Sequence, residues 1–471
     1  MFACAFFALL IMPLTVMGQA AGAAGGAGGA AAGAAGAAGG AAAGGNNTFF
    51  STGVVGGVKI DTRGVVQGVT DVMNPAVRKR IAEGLKNADN AVLNATKLRM
   101  VSLRGLEAQF NRAKSNKTQL PLEVNYMAGL QRIEYIILAP ETNDIILAGP
   151  AEGFKMNRKG VVVGEKSGTA VIHAEDFLVA MRSVENARRG QGVSVSIDPT
   201  AEGIKRYNKV TSQLRVFNAS MQPKLEQAMG PQTIRLTGVP TDSRFSQVLV
   251  AADYKMKRLG MGHEAAPIDN FPSFMEMAYR AKASKTKSAP RFWMECNYQP
   301  IAKSEDGLVW QIRGTGVKTL TQEEMFDENG KKTGKKVKPN RFAKKWADAM
   351  TERFDELAAA EPAFQELRNI MDLSVVAAII KSENLTDKVG LEIPGILGMS
   401  KVAVTPKYAV PKVVPTQCSF VKISNSWLIS ASGGIQLDSW GVASNTEVDS
   451  SINKVAKLVD GSGSWWWNAE K

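Results

Sequence analysis

The chain has 471 residues, 45% hydrophobic and 21% charged, with 57 Lys and Arg against 44 Asp and Glu for a formal charge of +13. That balance is globular and excludes an intrinsically disordered chain, and the length exceeds one ordinary core, so two or three domains are expected. Three cysteines and two histidines exclude a Cys-rich metal site, and a zinc site would need carboxylates in place of the missing ligands.

Residues 2–17 are uncharged and almost wholly apolar, interrupted by Pro13 and followed by Gly18 and Ala20. The run is shorter than the roughly 20 residues that a spanning helix needs. An apolar run ending in small residues is the pattern of a cleavable signal, here residues 1–20 with cleavage after Ala20, although no Lys or Arg precedes it. Residues 21–48 are an Ala/Gly-rich linker that cannot fill a core. Its glycines each weaken a helix by about 1 kcal/mol relative to Ala. An exported protein is expected, in the periplasm, at the cell surface or outside, with no transmembrane span left after cleavage.

Residues 54–61 carry an apolar strand signal. Asn74 and Pro75 then suit the cap and first turn of a helix running to about Leu93. Ser102 caps a second helix through Ala113, and residues 122–130 form a third. Residues 132–138 and 144–148 read as a hairpin turned by Pro140, Glu141, Thr142 and Asn143. Residues 175–189 are helical, and 193–197 alternate Val or Ile with Ser, as a strand does. Asp198 and Pro199 are expected to open another helix, and 232–236 another strand.

Thr241 or Asp242 caps a helix with Phe245, Val248, Leu249, Ala252, Met256 and Leu259 on one face, ended by Gly260. Lys255, Lys257 and Arg258 fall in its last turn, at the negative end of the helix dipole. Residues 291–298, 308–313 and 317–320 suggest a meander. Phe342, Trp346, Met350, Phe354 and Leu357 mark one helical face, and Pro362 restarts a helix whose residues 373–380 are apolar nearly all round, hence buried. Residues 405–415 are extended, and 419–423 with 427–430 form a last hairpin. The expected class is α+β or mixed α/β, with several hairpins and small sheets packed against amphipathic helices. The expected divisions are an N-terminal α/β domain at 49–190, a central one at 191–390, and an extended segment, hairpin and tail at 391–471.

Few residues advertise chemistry. His173 and His263 lie ninety residues apart, and no G-x-S-x-G elbow accompanies them. His263-Glu264 is followed by Pro267 rather than by the second His of a metalloprotease helix. Residues 330–336 lack the spacing of a phosphate-binding loop, and Ser284 to Lys287 matches S-x-x-K inside a polar stretch with no helical face. Glu134, Asp144 and Glu152 lie near one hairpin with Arg132, either as an acid–base pair or as solvated charges. Asp372 interrupts an apolar run, so it must be paired, hydrogen-bonded or neutral, and Arg368 at i−4 is the expected partner. Cys296 and Cys418 either pair or remain buried thiols.

The densest basic run contains Lys331, Lys332, Lys335 and Lys336, expected in a solvated loop between a strand and a helix. No aromatic residue interleaves before Phe342, unlike a nucleic-acid groove with its stacking platforms. Those four lysines are the candidate contacts to an anionic partner. No catalytic, cofactor-binding or metal-binding residue is assigned.

Several long phrases resemble a known family: GLQRIEYIILAPETNDIILAGPAEGF at 129–154, VSIDPTAEGIKRY at 195–207, GVPTDSRFSQVLVAADYKMKRLGMG at 238–262, RFWMECNY at 291–298, RNIMDLSVVAAII at 368–380 and PTQCSFVKISNSWLISASGGIQLDSW at 415–440. They are similar to an uncharacterised family of exported planctomycete proteins, a domain of unknown function. The resemblance covers most of residues 54–440. It implies an exported bacterial protein without an established activity, and it carries over no catalytic residue. Two classes remain open. One is a non-enzymatic binding or structural module for a protein or an anionic envelope partner. The other is a carboxylate- or serine-dependent hydrolase acting on envelope material, which a deep pocket with converging Asp, Glu and Arg would favour.

Overall fold

The computed structural model describes residues 90–190, 192–213, 219–280, 289–326, 332–337, 341–403 and most of 405–459, with short pieces at 58–60, 66–68, 83–84 and 466–468. The expected signal and linker, and most of the first expected helix, lie outside these residues. The fold is α+β.

In chain order, β1 (Thr96–Ser102) leads into α1 (Leu103–Asn116). Ser102 caps α1 as expected, its Oγ accepting from the Gly105 amide at 2.8 Å. The hairpin of β2 (Tyr135–Ala139) and β3 (Asp144–Ala151) follows, then α2 (Ala174–Arg189). Next come β4 (Val193–Pro199), β5 (Gln232–Thr237) and α3 (Arg244–Met261). After these run β6 (Ala289–Asn297), β7 (Ile301–Lys303), β8 (Val309–Gln311), β9 (Gly316–Phe326) and β10 (Lys332–Val337). Three helices, α4 (Arg341–Glu352), α5 (Phe354–Ala360) and α6 (Pro362–Ser382), precede β11 (Val413–Val414), β12 (Ser432–Leu437), α7 (Ser439–Ser444) and β13 (Thr446–Val448).

The strands make two main sheets. One has seven strands in the order β10-β9-β6-β12-β4-β5-β11, and the other six in the order β13-β7-β8-β2-β3-β1. The expected meander is divided between them. β6 and β9 pair antiparallel, with Asn297 opposite Gly316, while the chain between them leaves to add β7 and β8 to the other sheet. The divisions expected near residues 190 and 390 do not separate the sheets. β13 joins the sheet built on β1 to β3, β12 lies between β6 and β4, and residues 47–471 form one compact unit.

Local chemistry explains where other boundaries fall. Asp198 and Pro199 stay in β4, opposite Thr233 and Gln232, because a residue before proline is driven to extended backbone. The next helix starts at Ala201, with Thr200 Oγ1 accepting from the Gly203 amide at 3.0 Å. Ser243, not Thr241 or Asp242, caps α3, accepting from the Ser246 amide at 3.2 Å. Gly262 ends α3 in the left-handed region at φ 71°. Gly260 has a different use, since a Cβ there would stand 3.1 Å from the Trp346 ring, so it lets α4 approach.

Alternation in the strands sends Val195, Ile197, Ile435, Leu437, Phe292 and Met294 to the inner face of the seven-stranded sheet, all 5% exposed or less. There α3 packs on β4 and β12, and α4 on β9. The expected apolar face of α3 is 2% exposed or less throughout, so truncating Phe245 to Ala costs about 3–5 kcal/mol. The last-turn basic residues do more than face a helix dipole. Lys257 is buried, donating to the Ile197 carbonyl at 2.6 Å and lying 3.5 Å from the Asp253 carboxylate. Lys255 pairs with Glu361 at 2.7 Å, and Arg258 with Glu264 at 3.3 Å. Among the described residues, no helix is long and apolar enough to cross a membrane.

Candidate functional site

Asp372 is fully buried in α6, and its partner is not Arg368. Arg132 grips it with both forks, Nε to Oδ2 and Nη2 to Oδ1, each at 2.9 Å. Tyr298 Oη donates to Oδ1 at 2.7 Å, and Arg132 Nη1 donates to the Gly314 carbonyl at 3.0 Å. Arg368 turns instead to Asp355, at 2.8 Å. Burial together with the Asp372 charge holds the Tyr298 phenol well above its ordinary pKa, and so neutral.

The three carboxylates of the first hairpin do not converge. Asp144 and Glu152 bracket β3 and stand roughly 25 Å apart at ~3.3 Å per residue. Asp144 accepts from the amides of Arg104 at 3.0 Å and Ile145 at 2.8 Å and from the Ser102 hydroxyl, and burial still raises its pKa. Burial acts to raise Glu152 as well, but the bonds from Ser167, Gln131 and Lys166 together outweigh it and lower the pKa. Glu134, raised chiefly by burial, lies near Arg132.

Asp, Glu and Arg do converge at a place that sequence reading did not single out. Arg244, in the first turn of α3, donates from Nη1 to Asp176 of α2 and from Nη2 to Glu366 of α6. Tyr408 Oη donates to both oxygens of Glu175, at 2.9 and 2.8 Å, and His173 Nδ1 is 3.7 Å from Glu175 Oε1. Burial pushes Glu366 up to about 7 against the pull of Arg244, and burial also raises the pKa values of Asp176 and Glu175. His173 is pushed well below its ordinary value by burial and by the Arg244 charge. Arg244, Asp176, Glu175, Glu366 and His173 are each 7% exposed or less. The cluster ties the starts of α2 and α3 to α6 and is sealed from solvent, so it is not the open pocket that a hydrolase needs.

Cys296 is a free thiol whose pKa burial pushes up to about 12. It is protonated at neutral pH and a poor nucleophile. Cys418, Lys331 and residues 284–287 lie outside the described residues. His263, its pKa lowered mainly by burial, stands beyond the end of α3. Among the described residues, no group of His, Cys, Asp and Glu is arranged to hold a metal ion.

Lys332, Lys335 and Lys336 lie on β10, where a loop was expected. β10 pairs antiparallel with β9, Lys336 opposite Glu324, and forms one edge of the seven-stranded sheet. The main-chain bonds to β9 explain the difference, since a polar, Lys-rich segment is suited to an edge strand.

The outward face of that sheet carries the open polar surface. Arg291, Trp293 and Glu295 alternate outward on β6, Gly434 and Gln436 on β12, Ser194 and Ser196 on β4, and Lys318 on β9. Two hollows indent it. One, of about 350 Å³, is lined by Gly190, Gly192, Ser194, Ser196, Arg291, Trp293, Gly434 and Gln436. The other, of about 330 Å³, is lined by Glu295, Cys296, Asn297, Tyr298, Lys318, Gln436, Asp438 and Asn445. Gln436 belongs to both. The signal for this face was present in Arg291 to Asn297, where every second residue is polar or aromatic and the others are apolar.

Residues 195–274 match the model of a family described as a protein of unknown function (DUF1598). That stretch runs from β4 through α3 and contains Arg244, Asp253 and Lys257. No curated protein and no solved structure matches the chain.

Proposed function

We propose that this chain is an exported, non-enzymatic binding protein that holds anionic envelope material on the outward face of its seven-stranded sheet. The observation that carries the reading is the pairing of β10 with β9, which makes a lysine-bearing strand the edge of the same sheet that bears the two polar hollows. The charge of +13 favours an anionic partner at longer range. Export rests on the apolar run of residues 2–17 and the small residues up to Ala20, and agrees with the resemblance to exported planctomycete proteins.

The test is sedimentation of the mature protein with isolated envelope at several salt concentrations, beside a variant with Lys331, Lys332, Lys335 and Lys336 all replaced by Gln. Screening with a Debye length of about 8 Å at physiological ionic strength makes binding fall steeply as salt rises. The quadruple variant binds more weakly without unfolding. Salt-insensitive binding, unchanged in the variant, contradicts the proposal. Turnover of an envelope substrate that one Asp, Glu or Ser substitution abolishes would replace it with the hydrolase. N-terminal sequencing of the exported protein is expected to begin near Ala21.

A further inference from the structure

We infer that the outward sheet face binds a neutral oligosaccharide, one ring stacked on Trp293 and the next held by the side-chain amides and the Asp438 carboxylate around Gln436. This goes beyond the charge-driven reading above and shares with it only the face.

The surface follows from the register. Across the sheet, Leu320, Trp293, Gly434, Ser196 and Arg235 stand in one row, and Lys318, Glu295, Gln436, Ser194 and Thr237 in the neighbouring row of the same face. The largest side chain has a glycine beside it and a serine next, so a trough runs along one flank of the indole. Glycine is needed there, since a Cβ on Gly434 would stand 2.8 Å from the Val195 carbonyl oxygen. The indole Nε1–H donates to Glu295 Oε1 at 2.5 Å. With the polar edge of the ring bonded, its remaining contribution to the hollow is its apolar π surface.

The formal charges on this face offset one another. Lys318 Nζ lies 3.8 Å from Glu295 Oε2, and Asp438 borders the same hollow. Arg291, at the first hollow, is engaged within the protein. A ligand charged in either sense meets a like charge along the trough, which disfavours both. The unused hydrogen-bonding capacity is mostly uncharged. Among the described residues, no hydrogen bond ties the side-chain amides of Gln299, Gln436 and Asn445, all exposed at the second hollow. Asn297 commits its Nδ2 to Thr315 Oγ1 at 2.8 Å and keeps its Oδ1, and Asp438 accepts the Gly441 amide at 2.9 Å through Oδ1 and keeps its Oδ2.

A neutral sugar matches these groups. Its C–H groups carry slight positive charge and suit the negative face of an indole. Its hydroxyls both donate and accept, as the lining requires: the amides of Gln436, Gln299 and Asn445 do both, while the ionised Asp438 only accepts. A hydroxyl donating to a carboxylate makes one of the stronger hydrogen bonds open to an uncharged ligand. More than one ring is indicated because the second hollow continues from the first through Gln436. An extended peptide would dock through main-chain bonds at a sheet edge, whereas the main chain at the trough is already paired within the sheet.

The experiment is calorimetric titration of the mature full chain with hexamers of glucose, mannose and N-acetylglucosamine, beside a galacturonic acid hexamer, at low and high salt. At least one neutral hexamer binds saturably, with an affinity that changes by less than about twofold with salt, since no charge pair is made. At high salt, where attraction to the net charge is screened, the acidic hexamer binds at least about tenfold more weakly than that neutral one. Trp293→Ala weakens the neutral hexamer by about tenfold or more while Trp293→Phe keeps most of the affinity, because a smaller ring still stacks. Gln436→Ala and Asn445→Ala, at exposed positions, each lose severalfold and supply the check should Trp293→Ala fail to fold. The inference is overturned if no neutral hexamer binds, if the folded Trp293→Ala or Gln436→Ala proteins bind like the parent, or if the acidic hexamer binds equally well at high salt. Should the lysine variant lose envelope binding while no neutral hexamer binds, this inference fails and the reading above stands. Should a neutral hexamer bind as described while envelope binding ignores both salt and the lysines, the reading above fails and this inference stands.

Discussion

Arg244 and Arg291 both belong to the seven-stranded half of the molecule, and both lie within electrostatic reach of buried carboxylates. Arg244 is 2% exposed, and its fork is divided between Asp176 and Glu366. Arg291 points outward from β6 and borders an open hollow floored by Gly434. The first is used up in joining three helices that are far apart in sequence. The second lines a hollow on the outward sheet face. Converging acids and bases are therefore not enough to mark a working site, because burial can turn the same residue types into a structural tie.

Substitutions that treat the two regions alike should expose the difference. The largest effect is expected at Asp372. Asp372→Ala leaves the Arg132 guanidinium without its charge partner and the Tyr298 hydroxyl without its acceptor, at a cost of about 3–5 kcal/mol in a denaturant titration. Replacing both members, as Arg132→Met with Asp372→Leu, should cost less than Asp372→Ala alone. A loss near zero for the single variant would show that the pair does not hold the fold.

Glu366→Gln sharpens the contrast through pH. The folded pKa of Glu366 is raised from 4.5 to about 7, so the folded state holds this proton more tightly than the unfolded one. Its stabilising effect is complete below pH 4.5 and is lost as pH rises through about 7. The stability difference between Glu366→Gln and the parent should therefore move in the variant's favour by roughly 3 kcal/mol between pH 4.5 and 8. A difference independent of pH would contradict a buried, proton-holding carboxyl.

The smallest effect on stability is expected on the outward face. Trp293→Ala should change the unfolding free energy by about 1 kcal/mol or less, because the indole is half-buried on the face away from the core. A loss as large as that of Asp372→Ala would make Trp293 a core residue and remove it from the binding face.

Much of the local structure was legible in the sequence. Ser102 as a cap, the hairpin turned at Pro140 to Asn143, and the apolar face of α3 all follow from patterns within a few residues. What was not legible depends on contacts between distant residues. Arg368 was the near partner for Asp372, but the true one, Arg132, is 240 residues away in the chain. The meander failed for a similar reason: residues 298–315 leave one sheet to extend another, and no local pattern reports which sheet a strand joins. The trough lay between these cases. Alternation in β6 put Arg291, Trp293 and Glu295 on one side, but only the register with β12 shows that Gly434 opens the space beside the tryptophan.

The central claim is that the outward sheet face, rather than a buried ionic cluster, meets the partner. Oxidative footprinting of tryptophans on the mature protein, free and bound to isolated envelope, tests this most directly. The account predicts that oxidation of Trp293 falls severalfold on binding while that of Trp440, which packs beneath Arg188, stays the same. Unchanged oxidation of Trp293 in the bound protein would contradict it.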